Sequence, residues 1–134
     1  MIPKKKYVDV RGARFHYVDW EGNGPPVLLF HGDQRTSRSW DAVARRLHGQ
    51  FRVIALDARG HGESEWSARG YKTEDRVLDL IAFMDTINLS NTMVVAHSTG
   101  AGVVAHVALH TPRLIRKMFL IETLLVLDQR FQEQ

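Results

Sequence analysis

Ser98 lies in the run Ala96, His97, Ser98, Thr99, Gly100, where the residues two places before and after the serine are both small. That spacing suits a hydroxyl nucleophile carried on a sharp strand-to-helix turn, because larger side chains two residues away would collide across it. A helix beginning at such a turn aims its first N–H groups and its dipole at the nucleophile, so the Thr99 amide is a candidate donor to a developing oxyanion. The chemistry of such a group is acyl transfer through a covalent serine intermediate. The competing explanation is a serine that only caps a helix, a common role that needs neither Ala96 nor Gly100.

Two further segments bear on the same chemistry. Phe30, His31, Gly32, Asp33 ends an apolar run, and a loop amide one or two residues past the glycine would be a second oxyanion donor. Asp57 to Ser64, with Gly60 and Gly62 inside it, reads as a compact turn with a structural role in which the glycines take positive φ. A serine hydroxyl needs an adjacent base. After Ser98 the imidazoles are His106 and His110, both in the segment behind the turn. His97 adjoins the serine, but neighbours on a sharp turn point apart, which leaves His31 as the substitute base. His106 and His110 stand four apart on one helix face, as zinc ligands do. Val107 occupies the place of a metalloprotease glutamate and no third ligand is evident, so no metal is expected. Trp40 and Trp66 fit a pocket lining or a core equally well.

The elements that must carry these residues follow from apolar periodicity. Residues 7–10 and 14–20, separated by Arg11, Gly12 and Ala13, predict an antiparallel hairpin. Residues 27–30, 51–56, 92–96 and 117–121 predict strands, and most of these runs are continuously apolar, as strands buried on both faces are. Between them the spacing predicts helices from Ser39 as N-cap to about His48, over 73–87, and over 99–110. Strand and helix thus alternate from Pro25 onward. The fold class is α/β, a mostly parallel sheet of about six strands with an antiparallel N-terminal hairpin and helices on both faces, and one domain spans 1–134. In such sheets sites form at the C-terminal ends of the strands, where Gly32 and Ser98 fall.

Composition narrows the function. The 134 residues carry a net charge of +3, too small and too dispersed for a nucleic-acid footprint, and Lys4, Lys5 and Lys6 read as a solvated terminus. No apolar stretch approaches the ~18 residues of a membrane span, and the charged start lacks the apolar region of a secretory signal, so a cytoplasmic location is the default. There are no cysteines, which excludes disulfides and thiol chemistry. Phe119, Leu120, Ile121 and Leu124 to Leu127 make the C-terminal stretch strongly apolar. Its strand is expected to be an uncovered edge through which the chain forms a homo-oligomer.

With these three motifs in this order, the sequence resembles the α/β-hydrolase superfamily, in particular its esterase, epoxide-hydrolase and haloalkane-dehalogenase-like branch. The resemblance covers the whole chain but only the first part of the family pattern, without the late strands, the cap or the histidine loop. It implies Ser98 as nucleophile, the backbone amides of Asp33 and Thr99 as oxyanion donors, and His31, Gly32, Ala96 and Gly100 as structural residues of the site. It permits Glu122, directly after the strand 117–121, as the triad acid; a charge closing a strand end accounts for it equally. The implied substrate is a small ester-like molecule, since serine suits ester, lactone or thioester hydrolysis, and no cofactor is implied. The Asp33 carboxylate must point away from the oxyanion position if the hole is to work. A hydrolase-fold module that binds a ligand or self-associates without catalysis is the alternative.

Overall fold

The computed structural model describes residues 2–123; the apolar residues Leu124 to Leu127 lie outside them. The uninterrupted apolar runs become the middle of the sheet: β3 (Pro26–Phe30), β4 (Arg52–Leu56) and β5 (Thr92–His97). β3 pairs in parallel with β4 on one side and β5 on the other, so Leu28 lies opposite both Ile54 and Val94. β1 (Lys4–Val10) and β2 (Ala13–Asp19) form the antiparallel hairpin, and β2 joins β4 antiparallel. β6 (Ile115–Ile121) adds in parallel beyond β5. The order across this six-stranded sheet is β1-β2-β4-β3-β5-β6.

The hairpin loop is tighter than the sequence suggested. Val10 pairs with Ala13, leaving only Arg11 and Gly12, at φ 49° and 76°. Two consecutive positive φ values make the mirror-image turn whose twist matches that of the flanking strands. The expected Ser39 cap is also displaced. Thr36 caps a single 3₁₀ turn over Ser37–Trp40, in which the Ser39 hydroxyl accepts from the Thr36 N–H, and α1 (Asp41–Leu47) follows directly.

Alternation along the strands sorts the core into two layers. Trp20, Leu29, Trp40, Ala44 and Val53 pack on the α1 face. Phe15, Leu28, Phe30, Ile54 and Leu56 pack on the other, against Leu80, Phe83 and Met84 of α2 (Thr73–Thr86) and Val104 and Val107 of α3 (Thr99–His110). Helices therefore cover both faces, which is why the central strands tolerate no polar alternation.

Two buried carboxylates fasten the loops to this sandwich. Asp57, 2% exposed, accepts from the Ser37 N–H (2.6 Å), the Glu63 N–H (3.0 Å) and the His16 ring (2.7 Å). Gly62 at φ +53° is obligatory, because a Cβ there would lie 2.3 Å from that carboxylate. The 57–64 segment is thus the structural turn its glycines implied. Asp79 of α2 holds Arg59 through both carboxylate oxygens (2.9 and 2.8 Å) and also takes Arg11 from the hairpin turn (2.8 Å).

Asp79→Ala leaves Arg59, 9% exposed, without its buried partner. It is expected to cost about 3–5 kcal/mol in urea unfolding. Burial opposes the Asp57 charge, but the Ser37 and Glu63 N–H groups and His16 outweigh it and hold the carboxyl below its ordinary 3.8. Its stabilising contribution is therefore complete above about pH 3.8 and is lost as pH falls through the lower folded value. Acid titration of Asp57→Asn should lack that component of the unfolding curve.

Candidate active site

The chain leaves β3 for β4 on one side and returns to β5 on the other, so the loops after β3 and β5 diverge over a crevice. Ser98 sits at this point with φ 55° and ψ −122°, a conformation rarely adopted by a side-chain-bearing residue. Its N–H donates to the Ile121 carbonyl (2.9 Å), which ties the turn to β6. The serine makes no side-chain capping bond to α3, so the capping role is not the one it plays. α3 begins with Ala101 and Gly102 donating to the Ser98 carbonyl, which leaves the Thr99 and Gly100 amides ahead of the first intrahelical acceptor.

The small residues act as the steric argument requires. A Cβ on Gly100 would lie 2.3 Å from the His31 carbonyl oxygen, and one on Gly32 would lie 3.0 Å from both the His97 oxygen and the Ser98 Cβ. Ala96 is fully buried at the end of β5. The loop after β3 and the turn after β5 are therefore in backbone contact. Across that contact the Asp33 N–H donates to the Thr99 hydroxyl (2.9 Å). The Asp33 carboxylate is held by Arg76 of α2 at 2.7 Å.

His31 is 3% exposed, and its Nε2 accepts from the Ala58 N–H (3.0 Å). Nδ1 therefore carries the proton and donates it to the Gly32 carbonyl (2.7 Å). Burial, reinforced by His61 nearby, pushes this imidazole below its ordinary 6.5. With both ring nitrogens engaged, His31 is a bracket between loops and not a substitute base.

Ser98, Thr99, Asp33 and Glu122 line one cleft of about 480 Å³, together with Tyr71, Thr73, Arg76 and His106. His97 lines a separate cleft of about 240 Å³ with His31, Arg35 and Trp40, so adjacent residues on the turn do face different spaces. His97 Nε2 lies 3.2 Å from Glu122 Oε2, a pairing that sequence spacing did not suggest because the partners come from different strands. Tyr71, Thr73 and Arg76 were likewise not anticipated as cleft residues; in the loop before an amphipathic helix and in its first turn nothing distinguishes them from a solvated face. His106 lines the cleft with its Nδ1 on the Gly102 carbonyl (2.7 Å), and His110 Nδ1 pairs with the Thr111 hydroxyl (3.1 Å). Among the described residues no third metal-ligating side chain joins them. Trp40 is buried in the α1-side core while Trp66 is 79% exposed.

Residues 25–134 match the family model described as the alpha/beta hydrolase fold. The chain belongs to the α/β-hydrolase fold family. Over 120 residues it is 33% identical to epoxide hydrolase 4 of Mus musculus, an alignment covering 86% of this chain and 33% of that protein. It is 37% identical over 112 residues to a non-heme haloperoxidase of Rhodococcus erythropolis, covering 82% and 40%. Among solved α/β hydrolases, a haloalkane dehalogenase from Agrobacterium tumefaciens superposes with a TM-score of 0.85 at 30% identity, covering 91% of this chain and 42% of that one. The chain thus spans a third to two-fifths of the length of these α/β hydrolases. No described helix is long and apolar enough to cross a membrane.

Gly100→Ala drives a methyl group into the His31 carbonyl. It is expected to destabilise by about 1–3 kcal/mol in urea unfolding. Because the folded value of His31 is depressed, its stabilising contribution is complete above about pH 6.5 and is lost as pH falls through that lower value. The urea midpoint should therefore fall on acidification from neutral pH, and the slope should shrink in His31→Gln; an equal slope would remove His31 as its source.

Proposed function

We propose that this chain carries the nucleophile half of a serine hydrolase acting on carboxylic esters or related acyl compounds. The reading rests above all on Ser98, which at φ 55° and ψ −122° makes no side-chain capping bond and lines a cleft at the start of α3. Ser98 Oγ bonds to the acyl carbon, its proton passes to a general base, and the carbonyl electrons collect on the oxyanion. The Thr99 and Asp33 amides are the donors to that oxygen, the second after release from the Thr99 hydroxyl. Collapse of the tetrahedral species expels the alcohol, which takes up the proton, and water then cleaves the acyl-serine by the same steps.

A serine nucleophile itself restricts the substrate. Attack on an acyl carbon gives an ester that water can hydrolyse, whereas attack on an epoxide or an alkyl halide would leave an ether that water cannot. Epoxide hydrolase 4 and the haloalkane dehalogenase therefore lend this chain their fold and a small-molecule substrate, and not their reactions. Arg76 draws the Asp33 carboxylate into an ion pair, which reduces its repulsion of the oxyanion. Glu122, at the rim of the cleft, is the candidate acid. His31 is not the base, because both of its ring nitrogens are engaged, one by the Ala58 N–H and one by the Gly32 carbonyl.

The second reading is a module that keeps the fold for binding without turnover. It is favoured by one contact, the Thr99 hydroxyl already seated on the Asp33 amide.

A fluorophosphonate probe separates the two, with p-nitrophenyl acetate turnover measured in parallel. Covalent labelling that disappears in Ser98→Ala is the expected result. Folded protein that neither labels nor turns over ester would overturn the reading of Ser98 as an activated nucleophile in this chain.

A further inference from the structure

The Asp33 N–H donates to the Thr99 hydroxyl at 2.9 Å. A donor in an oxyanion site works at about 2.7–3.1 Å from the oxygen it stabilises, so Thr99 Oγ1 already takes the place on Asp33 that a substrate oxygen would need. The same oxygen is near the other candidate donor. In every staggered χ1 a threonine Oγ1 stays within about 3.7 Å of its own amide nitrogen. The Thr99 amide lies ahead of the first intrahelical acceptor of α3, with no intrahelical partner of its own. One oxygen of the chain itself therefore stands beside both amides.

The two partners differ in how firmly they are held. Asp33 follows Gly32, where an added Cβ would lie 3.0 Å from the Ser98 Cβ, and Arg76 of α2 grips its carboxylate at 2.7 Å. The amide is thus fixed from both sides of its residue. Thr99 is exposed, and a threonine in a helix divides between two χ1 rotamers, so one rotation takes its hydroxyl off the Asp33 amide without moving the backbone. The contact joins two turns that the sheet brings together directly at the ends of β3 and β5, and it needs no strand beyond β6.

We propose that the Thr99 hydroxyl is an internal substitute for the oxyanion, which occupies the oxyanion site of the free chain and swings out about χ1 when a reacting acyl group enters. Resting on the reading of Ser98 as an acyl nucleophile, this gate adds an acceptor that the substrate must displace. An oxygen gathering negative charge is the stronger acceptor and wins the Asp33 amide from a neutral hydroxyl. The displaced hydroxyl faces the open cleft, where water satisfies it.

Removal of the hydroxyl tests the gate, with fluorophosphonate labelling rates and NMR amide hydrogen exchange measured on the same proteins. Thr99→Val keeps the branched shape and deletes the acceptor. It should label about three- to tenfold faster than the native chain, the worth of one neutral hydrogen bond, and the Asp33 amide should exchange faster by a similar factor. Thr99→Ser restores the hydroxyl and should lose most of both gains, while unchanged exchange of the β3 and β5 amides shows that each variant is folded. An Asp33 amide that exchanges at the native rate in Thr99→Val would overturn the proposal whatever the label does. A freed amide with no faster labelling would sink the gate and leave Ser98 as the nucleophile. If native chain and variants all fail to label, the reading of Ser98 falls and the gate falls with it.

Discussion

The Gly100 backbone lies so close to the His31 carbonyl that no side chain fits between them, and this approach governs the C-terminal rim of the sheet. Two neighbouring parallel strands, β3 and β5, must end at the same level for it to occur, and the chain beyond each must turn without a Cβ in the gap. Gly32 and Gly100 supply that freedom from opposite sides. The Thr99 hydroxyl bonded to the Asp33 amide and the His31 ring bonded to Gly32 and Ala58 are consequences, since each needs the loops already in contact.

The same approach holds Ser98 where it would not otherwise stay. Its backbone conformation costs on the order of 1–3 kcal/mol and persists only if the surroundings overdetermine it. Here they do. Ile121 of β6 accepts the Ser98 N–H, the Ser98 carbonyl accepts the first bonds of α3, and fully buried Val94 and Ala96 anchor the strand beneath. The strain is therefore borne by a deeply packed part of the molecule, and Ser98 lines the cleft above it.

Around this rigid rim the loops are fastened by charge more than by apolar contact. Asp57 draws together β2, the turn before α1 and the 57–64 segment, while Asp79 binds that segment and the hairpin turn to α2. Buried carboxylates with several donors tolerate no slippage, because moving one donor exposes a charge in a site that water does not reach. The Arg76–Asp33 pair extends this arrangement to the cleft itself. It turns a carboxylate that looked unfavourable beside an oxyanion into half of an ion pair.

What the sequence determined by itself was local or periodic. The apolar runs of β3, β4 and β5, the helical spacing of α2 and α3, and the small residues flanking Ser98 are each legible over a few positions, and together they named the fold, the family resemblance and the candidate serine. Hairpin and cap details were missed by one to three residues, because a two-residue mirror turn and a 3₁₀ entry to α1 leave little mark on periodicity. Only the tertiary structure decided that the His31 imidazole is spent. His31 looked available as a base until Ala58, from the end of a different strand, was found on its ring nitrogen. It likewise decided that Glu122 meets His97 and that Arg76 meets Asp33, pairs 25 and 43 residues apart. The physical reason is the same in each case. Backbone conformation and burial follow patterns written along the chain, whereas a polar side chain's partner depends on which strands the sheet sets side by side.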